Sequence, residues 1–153
     1  MVSMQHEMLV DIFKNRPTLA AEILEEVLGV TFPAYSEARV ASTSLSETQP
    51  AEYRADLVIV LYWEGLPVRV IVVEVQLSRD SNKPFTWPAY LTISRDQHRC
   101  PAYLLVVAPD SAVADFCAQP IEIGVAGFVL MPTVHRSEGV PDITNQDEAA
   151  RRH

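Results

Sequence analysis

The sequence predicts an α/β fold in which a mixed sheet is covered by helices. Three observations predict it. Two runs rich in β-branched residues, LVIVLY (57–62) and VRVIVVEVQL (68–77), face each other across a short turn. A third apolar run, PAYLLVVA (101–108), follows after a stretch of helical character. Segments of helical periodicity also lie before and after these strands, the order from which helix-covered sheets are built.

The elements follow in order. Met4, Met8, Leu9, Ile12 and Phe13 recur at helical spacing and predict a helix over roughly 4–14. Pro17 suits the first turn of a second helix, marked by Leu19, Ile23, Leu24, Val27 and Leu28 and ended at Gly29. Residues 37–44, EARVASTS, alternate weakly as a first strand, and SLSETQPAE after it is turn-like. The hairpin comes next, with arms Asp56–Trp63 and Val68–Leu77 and a turn around Glu64-Gly65-Leu66-Pro67. Ser81-Asn82 is placed to cap a helix over roughly 84–98, and Pro88 argues that its regular part begins near 85–88. Pro109-Asp110-Ser111 starts a short helix over 112–118, and 121–123 and 128–131 are extended pieces. From Pro132 onward the chain reads as polar loop. The strands 68–77 and 101–108, joined by a helix, are expected to run parallel. One domain over 1–145 is expected, with 146–153 as a tail that begins a helix.

Composition sets the class. The 153 residues are 48% hydrophobic and 21% charged, the balance of a globular domain with room for a core. No apolar run nears the roughly 18 residues of a membrane span, and no leader pattern opens the chain, so a cytoplasmic setting is expected. Cys100 and Cys117 have neither metal-site spacing nor a disulfide framework and read as buried apolar residues. The net charge of −8 argues against indiscriminate coating of nucleic acid. Its distribution is uneven: Arg69, Arg79, Lys83, Arg95 and Arg99 give 67–110 a slight positive excess, which suits an anionic substrate or simply a solvated face.

Chemistry concentrates in the hairpin. Apolar strands usually exclude carboxylates, yet Asp56 opens one arm and Glu74-Val75-Gln76 closes the other. Because the arms are antiparallel, these ends lie side by side, and Glu74 and Gln76 share a face. Two hard oxygen ligands at one sheet end, with the Val75 carbonyl as a third, are what magnesium or manganese requires. The bland alternative is structural: Asp56 paired with Arg54, and Glu74 with Arg69 or Arg79. There is no phosphate-binding glycine loop, no serine-hydrolase elbow and no zinc pattern.

The arrangement Ala55-Asp56-Leu57-Val58 followed by Val72-Val73-Glu74-Val75-Gln76 resembles the active-site signature of the PD-(D/E)XK nuclease superfamily. Within it, EYRADLVIVL, IVVEVQLSRD, FTWPAY and CPAYLLVVAPD resemble a bacterial family related to Rpn/YhgA-type transposase-like nucleases. The resemblance spans roughly residues 5–145. It implies a three-layer, restriction-endonuclease-like fold with core order α-β-β-β-α-β, and a Mg2+- or Mn2+-dependent endonuclease that hydrolyses DNA. Asp56 and Glu74 would be metal ligands, and Gln76 would stand where the superfamily usually carries lysine. Glu22 is the candidate carboxylate from the first helices. Ala55 replaces the proline of the signature at a position that makes no ligand. Glutamine at 76 matters more, because it hydrogen-bonds where lysine supplies charge. A nuclease-fold protein acting as a nucleic-acid-binding or regulatory module is the alternative.

Around this centre, Arg79, Lys83, Tyr90 and Arg95 are candidate substrate contacts. Trp87 and Tyr90 either stack on bases or pack the helix on the sheet. No role falls to His6, His98, His135 or His153, none of which has a ligand partner at useful spacing. DNA is the expected partner, no membrane is expected, and a homodimer is an open expectation.

Overall fold

The first helical pattern is realised as α1, Met4–Asn15, whose N-terminal backbone is capped by the Ser3 hydroxyl accepting the His6 N–H at 3.1 Å in the computed structural model. After Pro17, α2 runs over Thr18–Glu22 and widens into a π-helical turn over Ile23–Val27. Gly29 stops it with a φ of +75°, a conformation that glycine adopts without steric cost. Strand β1 is Glu37–Ala41, β2 is Leu57–Trp63 and β3 is Leu66–Val75. Helix α3 is Lys83–His98, β4 is Ala102–Val107 and α4 is Ser111–Cys117. The short strands β5, Ile121–Glu122, β6, Val129–Leu130, and β7, Thr133–His135, complete the elements. The structure describes residues 3–42, 54–124 and 126–136. The SLSETQPAE connector up to residue 53, the NQDEAARRH tail and the expected domain end at 145 lie outside them.

Five strands form one mixed sheet in the order β1-β2-β3-β4-β7. β1, β2 and β3 form an antiparallel meander, and β3 runs parallel to β4, as the helical crossover predicts. β5 and β6 pair separately as a two-stranded ribbon. Alternation along the strands divides the core. Leu57, Ile59, Leu61, Ile71, Val73, Val75, Leu105 and Val107 pack under α1 and α2 with Phe13, Leu19, Ile23 and Leu24. Val58, Val60, Val70, Val72, Leu104 and Val106 pack on the other face with Trp87, Tyr90 and Leu91 of α3 and Val113, Ala114 and Cys117 of α4. Burial of both faces explains why β2 and β3 read as continuous apolar runs rather than alternating ones.

Three local expectations are corrected. Helix α3 runs unbroken through Pro88, beginning at Lys83. Proline there removes one hydrogen bond, to the Pro84 carbonyl, and both prolines border an open cleft. Asn82 occupies the cap position without a side-chain cap bond; instead its N–H is accepted by Asp80 Oδ1 at 2.9 Å. The chain after Pro132 is not all loop, since β7 joins the sheet parallel to β4. Its three residues are too few to show a periodicity, and they become a strand through pairing with Leu105–Val107.

Candidate active site

The strand ends meet as the antiparallel arithmetic requires. Leu57 pairs with Val73, which sets Asp56 beside Glu74. The Asp56 N–H donates to Glu74 Oε2 at 2.7 Å, and the Val75 N–H donates to Asp56 Oδ2 at 2.9 Å. Glu74 thus holds the backbone of Asp56 and Asp56 holds that of Val75, so the two carboxylates are locked together at the open end of the hairpin. The Gln76 N–H continues the ladder to the Val107 carbonyl at 2.9 Å, while its amide nitrogen donates to the Ser78 carbonyl at 3.2 Å.

Glu74 projects toward α3, on the face shared by Val70 and Val72, and is fully buried. Its Oε1 accepts from Lys83 Nζ and from the Trp87 indole N–H, each at 3.1 Å. Both donors belong to α3, so this helix brings a cation and a dipole to the acid. Burial, and then the charge of Asp56, raise the Glu74 pKa, against the opposing pull of Lys83 and its hydrogen bonds. For Lys83, burial lowers the pKa, but the Glu74 charge and hydrogen bond, with Tyr90 and Asp56, more than offset it, and the net shift is upward. Lys83 is therefore a firmly held ammonium.

Asp56 faces the other way. Its Oδ2 lies 3.1 Å from Nε2 of His6, which reaches in from α1. Ser3, His6, Asp56, Val75, Gln76, Leu77, Ser78, Asp80 and Lys83 line a groove of about 420 Å³ at this end of the sheet. Helices from opposite layers therefore meet over the strand ends, with α1 supplying His6 and α3 supplying Lys83.

The structural pairings weighed from sequence are replaced: Asp56 partners His6 rather than Arg54, and Glu74 partners Lys83 rather than Arg69 or Arg79. Glu22 does not join the site. Arg16 Nη2 donates to its Oε1 at 3.0 Å and lies 2.9 Å from Oε2. Glu22 also adds to the negative field that, after burial and Glu25, raises the Tyr35 hydroxyl to about 12. Tyr90 is fully buried beneath Lys83, whose ammonium sits 5.8 Å from its ring centre, so it contacts the site from below and not substrate from outside. Trp87 is likewise buried, and its packing role carries the added bond to Glu74. The Arg79 guanidinium lies over the Phe116 ring at 4.7 Å. Arg95 sits twelve residues beyond Lys83 on α3, about 18 Å along the axis, beside Arg99 and Pro101 at the opposite end of the sheet. Sequence reasoning missed His6, because a contact across fifty positions leaves no local signal.

Whether a divalent cation fits follows from the donors. Asp56 and Gln76 line the groove with the hard oxygens such an ion takes, whereas both Glu74 oxygens already accept protein donors. Among the described residues no three His, Cys, Asp or Glu side chains gather as a ligand set. The described donors thus offer one carboxylate facing the groove, Asp56, with the Gln76 amide beside it, and do not by themselves make a full ligand set. Comparison with family models, curated proteins and solved structures finds no match for this chain. No helix among the described residues is long and apolar enough to cross a membrane.

Proposed function

We propose that the groove at the end of β2 and β3 is the active site of a metal-dependent endonuclease that hydrolyses DNA phosphodiester bonds on a restriction-endonuclease-like fold. The observation that carries this reading is the reciprocal lock of Asp56 and Glu74 at one sheet end, with the Lys83 ammonium on Glu74. The meander β1-β2-β3 followed by α3 and parallel β4 supports the same reading, being the core order that the resemblance implies.

Asp56, with Glu74 and the Val75 carbonyl, would hold Mg2+ or Mn2+. Bound there, such an ion supplies charge for a phosphoryl oxygen and acidity for water. The chain's own residues do the rest. Lys83 sets a positive charge at the groove, the charge that Gln76 lacks. Gln76 has its amide nitrogen tied to Ser78, which turns the amide oxygen into the group that accepts from an attacking water. Trp87 and the Asp56 N–H hold the buried Glu74 carboxylate in place.

Purified protein incubated with plasmid and single-stranded DNA in Mg2+ or Mn2+ tests the reading. Metal-dependent cleavage should appear and fall at least about a hundredfold, roughly 2.7 kcal/mol of barrier, in Asp56→Asn. Equal cleavage by wild type and variant would sink it, since the activity would then belong to a contaminant. A second reading, a nuclease-fold module that binds nucleic acid without cutting it, is favoured by the engagement of both Glu74 oxygens with protein donors. DNA retention by wild type with no cleavage under either ion would select it.

A further inference from the structure

We infer that the cleft between α3 and α4 is a nucleobase pocket, and that the DNA taken by the adjoining groove is a single strand with one base unstacked into this cleft. The inference rests on the reading of the groove as a DNA site and concerns which form of DNA it takes. The cleft holds about 370 Å³, within the roughly 300–1,000 Å³ of small-ligand pockets. Phe85 and Pro88 of α3 line it together with Phe116 and Ile121, so its surface is largely aromatic and apolar. Gln119 and Glu122 also line it and supply hydrogen-bonding groups for the edge of a base.

Two observations choose the occupant. Phe85 is 81% exposed, whereas α3 packs on the sheet through Trp87, Tyr90 and Leu91. The Phe85 ring therefore adds little to the core and leaves its face open to a flat partner, the surface on which bases stack whatever their sequence. The second observation is continuity. Lys83 lines the groove while Pro84 and Phe85 line the cleft, so the first turn of α3 is the partition between them. Arg79 follows Ser78 and precedes Asp80, both groove residues, and its guanidinium lies 4.7 Å from the Phe116 ring centre. A cation thus stands at the boundary, where the phosphate joining a base in the cleft to a phosphodiester in the groove would pass. An apolar peptide would fill the cleft but has no use for that cation. In a duplex each base is paired and stacked on its neighbours, so entry requires flipping; a single strand offers the same base without that cost.

DNA binding by the full chain decides the matter without any cleavage assay. Fluorescence anisotropy is read for wild type, Phe85→Ala and Phe85→Trp with a labelled oligonucleotide, single-stranded or annealed to its complement, in EDTA and again in Ca2+. Wild type should bind the single strand at least about tenfold more tightly than the duplex. Phe85→Ala should lose about tenfold in single-strand affinity, one decade of Kd, with duplex affinity within about twofold, and Phe85→Trp should restore the loss. A single strand carrying 2-aminopurine should be quenched by wild type and not by Phe85→Ala. Circular dichroism establishes that each variant is folded. Equal affinity for single strand and duplex, or equal single-strand binding by wild type and Phe85→Ala, overturns the inference and leaves the nuclease reading to its own cleavage test. Neither form bound under either condition overturns both.

Discussion

Glu74 is the residue on which most of the site's physics converges. A carboxylate at 0% exposure is held by a lysine, an indole and a backbone amide, yet burial and Asp56 still raise its pKa. The consequence for stability has a definite sign. A folded-state pKa above the ordinary 4.5 means that the folded chain binds more protons than the unfolded one. The contribution of Glu74 is then fully present below that value and is lost as pH rises toward the raised one. Urea unfolding from about pH 4.5 upward should show stability falling with pH, and Glu74→Gln should flatten that slope. Parallel slopes for wild type and variant would show that Glu74 does not carry the dependence. At this scale Asp56 and Glu74 were legible, because acids inside apolar strand runs stand out and antiparallel pairing places them together. Glu22 was not: a helical acid carries no mark of which way it faces, and here it turns to Arg16.

Elements position these residues. The hairpin turns through Glu64 and Gly65, with φ of +50° and +80°, the double positive φ of a type I′ turn. Pro67 pairs with Tyr62 next to a bulge that leaves Val68 of β3 without a partner, where a missing N–H is tolerated. This turn sets the register that delivers Asp56 to Glu74. Gly65→Ala meets no steric obstacle, so its cost is conformational, about 1 kcal/mol, and should appear as a lowered urea midpoint at unchanged slope. A stability equal to wild type would mean that the turn does not constrain the hairpin. Helix α3 contributes differently. Its start at Lys83, earlier than Pro88 alone suggests, puts Lys83 and Trp87 one turn apart on the face toward Glu74.

In the whole molecule, β3 is the pivot. It is paired on both sides and buried on both faces, whereas β1 is an edge strand with largely exposed side chains. Native-state hydrogen exchange should therefore be slowest for amides of Ile71–Val75 and fastest, among the five strands, in β1. Comparable protection in β1 and β3 would contradict this two-layer account. The site hangs from the end of this central strand, and residues near the helix N-termini, His6 and Lys83, supply partners to its two carboxylates.

Strands β1 to β4, their helical cover and the meeting of Asp56 with Glu74 can be read from the residues alone. Each of these follows from short-range periodicity or from pairing within one hairpin. What surrounds that pair is settled by packing between layers. His6 comes from fifty residues upstream, Lys83 is drawn onto Glu74 by the fold of α3, and β7 becomes a strand by pairing with β4. Such contacts depend on how layers pack and helices rotate against a sheet. No local pattern in the chain encodes that rotation, because many sequences with the same periodicity satisfy it.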